Sequence, residues 1–73
     1  MDYIERRSII GQVYASLMEK EYEPEDQIMG YIVTGDLTLI TNYNNARMLI
    51  KKVDRRDLLR DLFSAYLAEE PDP

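Results

Sequence analysis

Tyr31-Ile32-Val33-Thr34-Gly35-Asp36-Leu37-Thr38-Leu39-Ile40-Thr41 is the stretch on which the fold turns. As strands, it makes a β-hairpin, with two runs rich in β-branched residues on either side of a Gly35-Asp36 turn. As a helix end, it has Gly35 closing a helix that begins at Pro24, a residue suited to a first helical position because it has no N–H to lose. Glu25 and Asp26 then complement the positive end of that helix, and Ile28, Tyr31 and Ile32 share a face. Local propensities leave the two readings evenly balanced.

On the N-terminal side the pattern is plainer. Ile9, Ile10, Val13, Tyr14, Leu17 and Met18 recur at three- and four-residue steps, predicting an amphipathic helix from about Tyr3 to Glu21. Glu23-Pro24 ends it, because a residue before proline avoids the helical region. Beyond Thr41, Asn42-Tyr43-Asn44-Asn45 suits a polar loop and a helix N-cap. A further helix follows from about Asn44 to Val53, with Ala46, Leu49, Ile50 and Val53 on one side. Its apolar phase breaks where Arg56 and Asp57 stand, so Asp54 is expected to cap a new helix with a buried stripe of Leu58, Leu59, Leu62, Phe63, Tyr66 and Leu67. Residues 69–73 read as a short acidic, frayed tail.

The whole is one domain, since 73 residues leave no room for a second. The absence of Cys and His excludes a disulfide framework, a thiolate or imidazole zinc site and any Ser-His or Cys-His nucleophile. A core this small rarely supplies more than roughly 3–5 kcal/mol, which favours a homodimer before any motif is considered. No run approaches a membrane span, and the segment from Met1 to Glu5 lacks the basic and apolar parts of a signal peptide. With no Cys, a cytoplasmic protein is expected.

Chemistry-bearing patterns are few. Asp57 and Asp61 lie one helical turn apart, but a hydrolytic carboxylate pair needs a desolvating cleft that so short a chain hardly provides. Gly30 and Gly35 lack a following Gly-Lys-Ser/Thr, which excludes a P-loop and leaves close packing and a turn. No catalytic residue, metal site or cofactor is expected.

Charge is distributed unevenly. The net charge is −5, yet residues 42–60 hold six basic and two acidic side chains, against four acidic and no basic ones in 61–73. Arg47, Lys51 and Arg55 form one four-spaced ladder, and Lys52, Arg56 and Arg60 another. Such ladders can line up against phosphates, which makes a nucleic-acid accessory protein using the basic 47–60 segment the alternative reading. The acidic total and the lack of any aromatic residue within 47–60 make nucleic acid the less favoured partner. Ser8, Thr34, Thr38 and Thr41 are the candidate phosphorylation sites, each weighed against the commoner role of a hydroxyl bonded to its own backbone.

Several pieces occur together in a telling order. Val13-Tyr14-Ala15-Ser16-Leu17, Glu19-Lys20-Glu21-Tyr22-Glu23-Pro24, Gln27-Ile28-Met29-Gly30-Tyr31 and Gly35-Asp36 precede Asn45-Ala46-Arg47, Leu49-Ile50-Lys51-Lys52 and Asp54-Arg55-Arg56-Asp57-Leu58-Leu59. From about Val13 to Leu67 this series resembles the IreB family of small regulatory phosphoproteins of Gram-positive bacteria. The resemblance implies an all-α domain of about four helices, intertwined or packed as a cytoplasmic homodimer. It also implies regulation by a membrane Ser/Thr protein kinase that senses the cell wall, and negative action on cephalosporin resistance. On that basis residues 24–34 are expected to be a helix, although Leu37 stands where the family usually has Pro.

The family's phosphoacceptors are threonines in an N-terminal tail, whereas this chain has no Thr before Thr34. The expected function is therefore that of a non-enzymatic regulatory interaction module. Its contact surface is assigned to Gly30, Tyr31, Gly35, Asp36, Asn45 and Arg47, small or polar residues near turns and helix ends. Arg47 is the expected anion or carboxylate clamp, oriented by Asp36 or Asn45.

Overall fold

A computed structural model of the chain describes residues 1–68, so the 69–73 tail lies outside the described residues. Four α-helices run in order: α1 (Tyr3–Glu19), α2 (Pro24–Thr34), α3 (Ala46–Lys51) and α4 (Arg55–Ala68). Two 3₁₀ turns, Leu37–Leu39 and Tyr43–Asn45, bridge α2 and α3, and no strand occurs among the described residues.

The helix ends follow local chemistry. Asp2 caps α1 by accepting from the Glu5 N–H at 2.8 Å. The helix stops two residues short of the expected Glu21 because Glu21 itself adopts the left-handed conformation, with φ at 63°. The Tyr22 N–H reaches back to the Leu17 carbonyl and the Glu21 N–H to Met18, both at 3.0 Å, which satisfies two end carbonyls. Pro24 opens α2, and Gly35 closes it with φ at 75° and its N–H on the Tyr31 carbonyl at 2.7 Å.

That cap resolves the hairpin question. Gly35 turns the chain out of a helix, and the Asp36 carboxylate then accepts from the Thr38 N–H at 3.0 Å to start a 3₁₀ turn where a second strand would have begun. Helix α3 begins at Ala46, two residues later than expected, because Asn44 and Asn45 are both left-handed, with φ of 52° and 62°. The break before α4 falls where the apolar phase fails. Asp54 caps the new helix, its carboxylate accepting from the Arg56 N–H at 2.7 Å and its carbonyl from the Leu58 N–H at 3.2 Å.

The core is drawn from all four helices and from Ile40 between the two 3₁₀ turns. Val13 and Leu17 of α1, Ile40 of the bridge and Ile50 of α3 have no exposed surface at all, and Ile28, Tyr31 and Ile32 of α2 close over them. Each such side chain contributes about 1.5–3 kcal/mol on leaving water. Helix α1 packs mainly on α3 and α2, while α4 meets chiefly α2.

The expected buried stripe of α4 is corrected here. Only Leu58 is buried, whereas Leu59, Leu62, Phe63, Tyr66 and Leu67 are exposed, Tyr66 to 77%. Periodicity announces that a helix has an apolar side, but it does not say whether the same chain covers it.

Candidate functional site

Two features qualify, the 35–45 bridge and an apolar groove beside α4. The bridge holds the residues that the sequence singled out, and most of them build it. Gly30 lies under Leu39, and a Cβ there would stand 2.9 Å from that side chain. Tyr31 is buried in the core. Gly35 carries the Arg55 guanidinium over its α-carbon, within 2.8 Å of where a Cβ would be. Asp36 is exposed and accepts from both the Thr38 hydroxyl, at 2.6 Å, and its N–H. Those two bonds, with the Arg47 charge nearby, hold its carboxyl below the usual carboxylate range.

Arg47 is half-buried and donates from Nε to the Ile40 carbonyl at 2.9 Å, which pins the bridge across the start of α3. Asn45 supplies backbone geometry, the second of the two left-handed residues, rather than a side-chain cap. The structure thus sets Asp36 within the field of Arg47 without pairing the two, leaves Asn45 exposed at the head of α3 and places Tyr31 inside. At the far end of the bridge Tyr43 packs under Lys20, whose Nζ lies 4.5 Å from the ring centre. A hydrogen bond to Glu19 and partial burial raise the Tyr43 phenol above its ordinary value.

The candidate phosphoacceptors all sit in ordered backbone. Ser8 is exposed on α1, with its hydroxyl accepting from the Gln12 side chain at 3.3 Å. Thr34 donates to the Gly30 carbonyl at 2.7 Å and accepts from the Asp36 N–H at 3.1 Å. Thr41 accepts from the Tyr43 N–H at 3.2 Å, and Thr38 is bonded to Asp36 as above.

The basic ladders do not survive folding as stripes. Helix α3 stops at Lys51 and α4 starts at Arg55, so each ladder crosses a break between two helices. Arg47 is half-buried on the Ile40 carbonyl, and Arg55, though exposed, donates to that of Ile32 at 3.2 Å. Lys51, Lys52, Arg56 and Arg60 remain exposed.

The second feature was not visible in the sequence. Between α1, α2 and α4 lies an open groove of about 330 Å³, walled by Ile10, Tyr14, Ile28, Met29, Leu58 and Leu62. An ion pair spans its side. Arg6 of α1 donates from Nε and an η-nitrogen to the two oxygens of Asp61 of α4, at 2.6 and 2.7 Å. This fork-on-fork contact, the one ion pair among the described residues, keeps the Asp61 carboxyl below its usual range and raises the Arg6 guanidinium. Spacing had linked Asp61 to Asp57, but folding gives it Arg6, 55 positions away. Nothing local in either segment signals that pairing.

Among the described residues no three His, Cys, Asp or Glu side chains converge to hold a metal, and no helix is long and apolar enough to cross a membrane. The arrangement is one of apolar surface and fixed loops. Compared with known protein families, residues 2–68 match the model of the IreB regulatory phosphoprotein family. The chain belongs to the IreB family. The match takes in all four helices, both 3₁₀ turns and the groove, and it makes the protein a regulatory one. It also extends N-terminally beyond the Val13–Leu67 stretch that carried the sequence resemblance, reaching the α1 residues on the groove wall.

Proposed function

We propose that this IreB-family chain is a non-enzymatic cytoplasmic homodimer that relays signals from a Ser/Thr protein kinase and restrains cephalosporin resistance. The observation that carries this reading is the apolar surface left uncovered along α4 and its groove. Leu59, Leu62, Phe63, Tyr66 and Leu67 are each about half or more exposed, on a helix of 14 residues. Isolated helices of that length are marginal in water, so α4 gains most of its stability from what packs on it. Scattered apolar residues are ordinary on a surface, but a contiguous face of this kind marks a binding surface.

The ionisable groups support a binding role. Asp36 and Asp61 both have lowered pKa values, the direction opposite to that of a general acid poised to give up a proton near neutrality. The ladder that favoured nucleic acid is divided between two helices, and two of its arginines are tied to backbone carbonyls, which removes the continuous stripe that supported it. Within the contact surface, Asp36 and Arg47 present the polar portion and the α4 face the apolar one.

The test is genetic and chemical together. A strain lacking this protein should gain cephalosporin resistance, and the wild-type chain should reverse it, whereas a Tyr66→Lys chain that still folds should not. The intact mass of the protein, taken from cells under cell-wall stress, should show phosphate that maps to Ser8, Thr34, Thr38 or Thr41. Unchanged resistance in the deletion strain would overturn the regulatory assignment. An unmodified mass under every condition would remove the kinase from it.

A further inference from the structure

The fold fixes the position of Arg55 without using its charge. Its guanidinium lies over the α-carbon of Gly35, in a place left open by the missing side chain. One η-nitrogen donates to the Ile32 carbonyl at 3.2 Å, and the other N–H groups have no acceptor among the described residues. No carboxylate pairs with it there either, since the one such pair is that of Arg6 with Asp61. An exposed guanidinium held in place with free donors is prepared for a carboxylate, because little freedom is lost when the fork closes.

The surface beside Arg55 is an open notch of about 470 Å³ between the end of α2 and the start of α4. Ile32, Val33 and Leu59 supply its apolar walls, and Arg55 and Arg56 its cationic ones. Val33 is 76% exposed, so an apolar group seated there would cover surface that this chain leaves to water. Asp54 also lines the notch, but its carboxylate accepts from the Arg56 N–H at 2.7 Å and is engaged as the cap of α4.

Charge on α4 is sorted by side. Arg56 and Arg60 stand one turn apart, and so do Asp57 and Asp61, on a line about 100° farther round the helix. Asp61 is bonded to Arg6, and the field of Asp57 also falls on Arg6. The acids of α4 are therefore turned towards α1, while Arg55, Arg56 and Arg60 have no ion pair among the described residues. In a chain of net charge −5, this corner attracts anionic groups that the rest of the surface repels.

Apolar walls beside arginines select among anions. A nucleic-acid backbone offers nothing to Val33 and Leu59, and no aromatic side chain lines the notch on which a base could stack. A protein segment with an apolar residue between carboxylates matches both kinds of wall. We infer that the notch binds an acidic segment of a partner protein, its apolar side chain against Val33 and Leu59 and its flanking carboxylates on Arg55 and Arg56. The notch meets the assembly face proposed above only at Leu59, and its occupant does not depend on that assembly.

A fluorescein-labelled peptide with one leucine between pairs of glutamates, titrated with the full chain and followed by anisotropy, is the test. Binding should saturate and should weaken as salt is raised. Val33→Asp and Arg56→Glu, both at exposed positions, should each weaken it by about tenfold or more. Arg55→Lys keeps the charge but loses the fork, and should also bind more weakly than the wild type. Tyr66→Lys should bind as the wild type does, so that loss of the dimer and loss of this site are read separately.

No saturable binding, or wild-type affinity in Val33→Asp and Arg56→Glu, would overturn the inference. A glutamate-only peptide that binds equally well would remove the apolar part of the site and overturn it too. Tighter binding of duplex DNA of equal charge would assign the corner to nucleic acid instead. In isotope-labelled chain the leucine peptide should shift the amides of Ile32 to Gly35 and of Arg55 to Arg60, and shifts confined to another surface would contradict the placement.

Discussion

Replacing two glycines by the same residue should move stability in opposite directions. Gly35 has φ at 75°, and a Cβ there would meet the Arg55 guanidinium at 2.8 Å. Alanine in the left-handed region costs about 1–2 kcal/mol. The guanidinium is the end of a flexible side chain and can swing away, but its bond to the Ile32 carbonyl at 3.2 Å is then lost. That loss adds about 1 kcal/mol, and the stiffer unfolded chain of the alanine variant offsets about half of it.

Gly35→Ala should therefore destabilise by about 2 kcal/mol. Gly11 lies inside α1 with nothing within 4 Å of its would-be Cβ, so Gly11→Ala should stabilise by up to about 1 kcal/mol. Urea melts at one fixed protomer concentration measure both, because the stability of a dimer varies with concentration. On an Arg55→Ala background the cost at Gly35 should fall to the backbone part, about 1 kcal/mol. A Gly35→Ala protein as stable as the wild type would refute the capping argument, and an unchanged cost without Arg55 would refute the guanidinium contact.

Other substitutions probe separate parts of the structure. Glu21→Gly should raise the urea midpoint, with a gain of about 0.5–1 kcal/mol, because glycine adopts φ near 63° without steric cost. Asp61 has a lowered pKa in the folded chain, so the stability it contributes is present above its unfolded value of about 3.9 and is lost as pH falls through the lower folded value. Urea midpoints of wild type and Asp61→Asn should accordingly lie far apart at neutral pH and converge in strong acid, and a constant gap would contradict the Arg6 pairing. Arg47→Ala frees the Ile40 carbonyl and should speed amide exchange across residues 37–45 while leaving α4 exchange unchanged.

Much of the fold was legible because punctuation in this chain is strong. Pro24, Gly35 and Asp54 mark boundaries that the structure keeps, and Ala46, Ile50 and Val53 turn inward as their spacing requires. The helix ends that moved did so at Glu21, Asn44 and Asn45, where non-glycine residues take left-handed backbone that composition does not announce. Residues 37–39 have β-branched and aliphatic character, yet they form a 3₁₀ turn because Asp36 and Thr38 bond to one another. A local side-chain bond outweighed strand propensity there.

The candidate site was legible only in its parts. Gly30, Gly35, Asp36 and Arg47 stand out in sequence because the bridge needs them, and structural need and partner recognition leave similar residue types at turns. The groove could not be read from the chain, because it depends on Arg6 meeting Asp61 across most of the sequence. Nor does a helical period distinguish an apolar face covered by its own chain from one left for another.

Sedimentation equilibrium of the wild-type chain beside Tyr66→Lys, over a wide concentration range, tests the central claim most directly. The wild type should sediment at twice the chain mass and dissociate only on strong dilution, and the variant at the mass of a single folded chain. A wild type that stays monomeric at the highest concentration, or a Tyr66→Lys protein as dimeric as the wild type, would contradict the assignment of the α4 face as the surface through which this protein assembles.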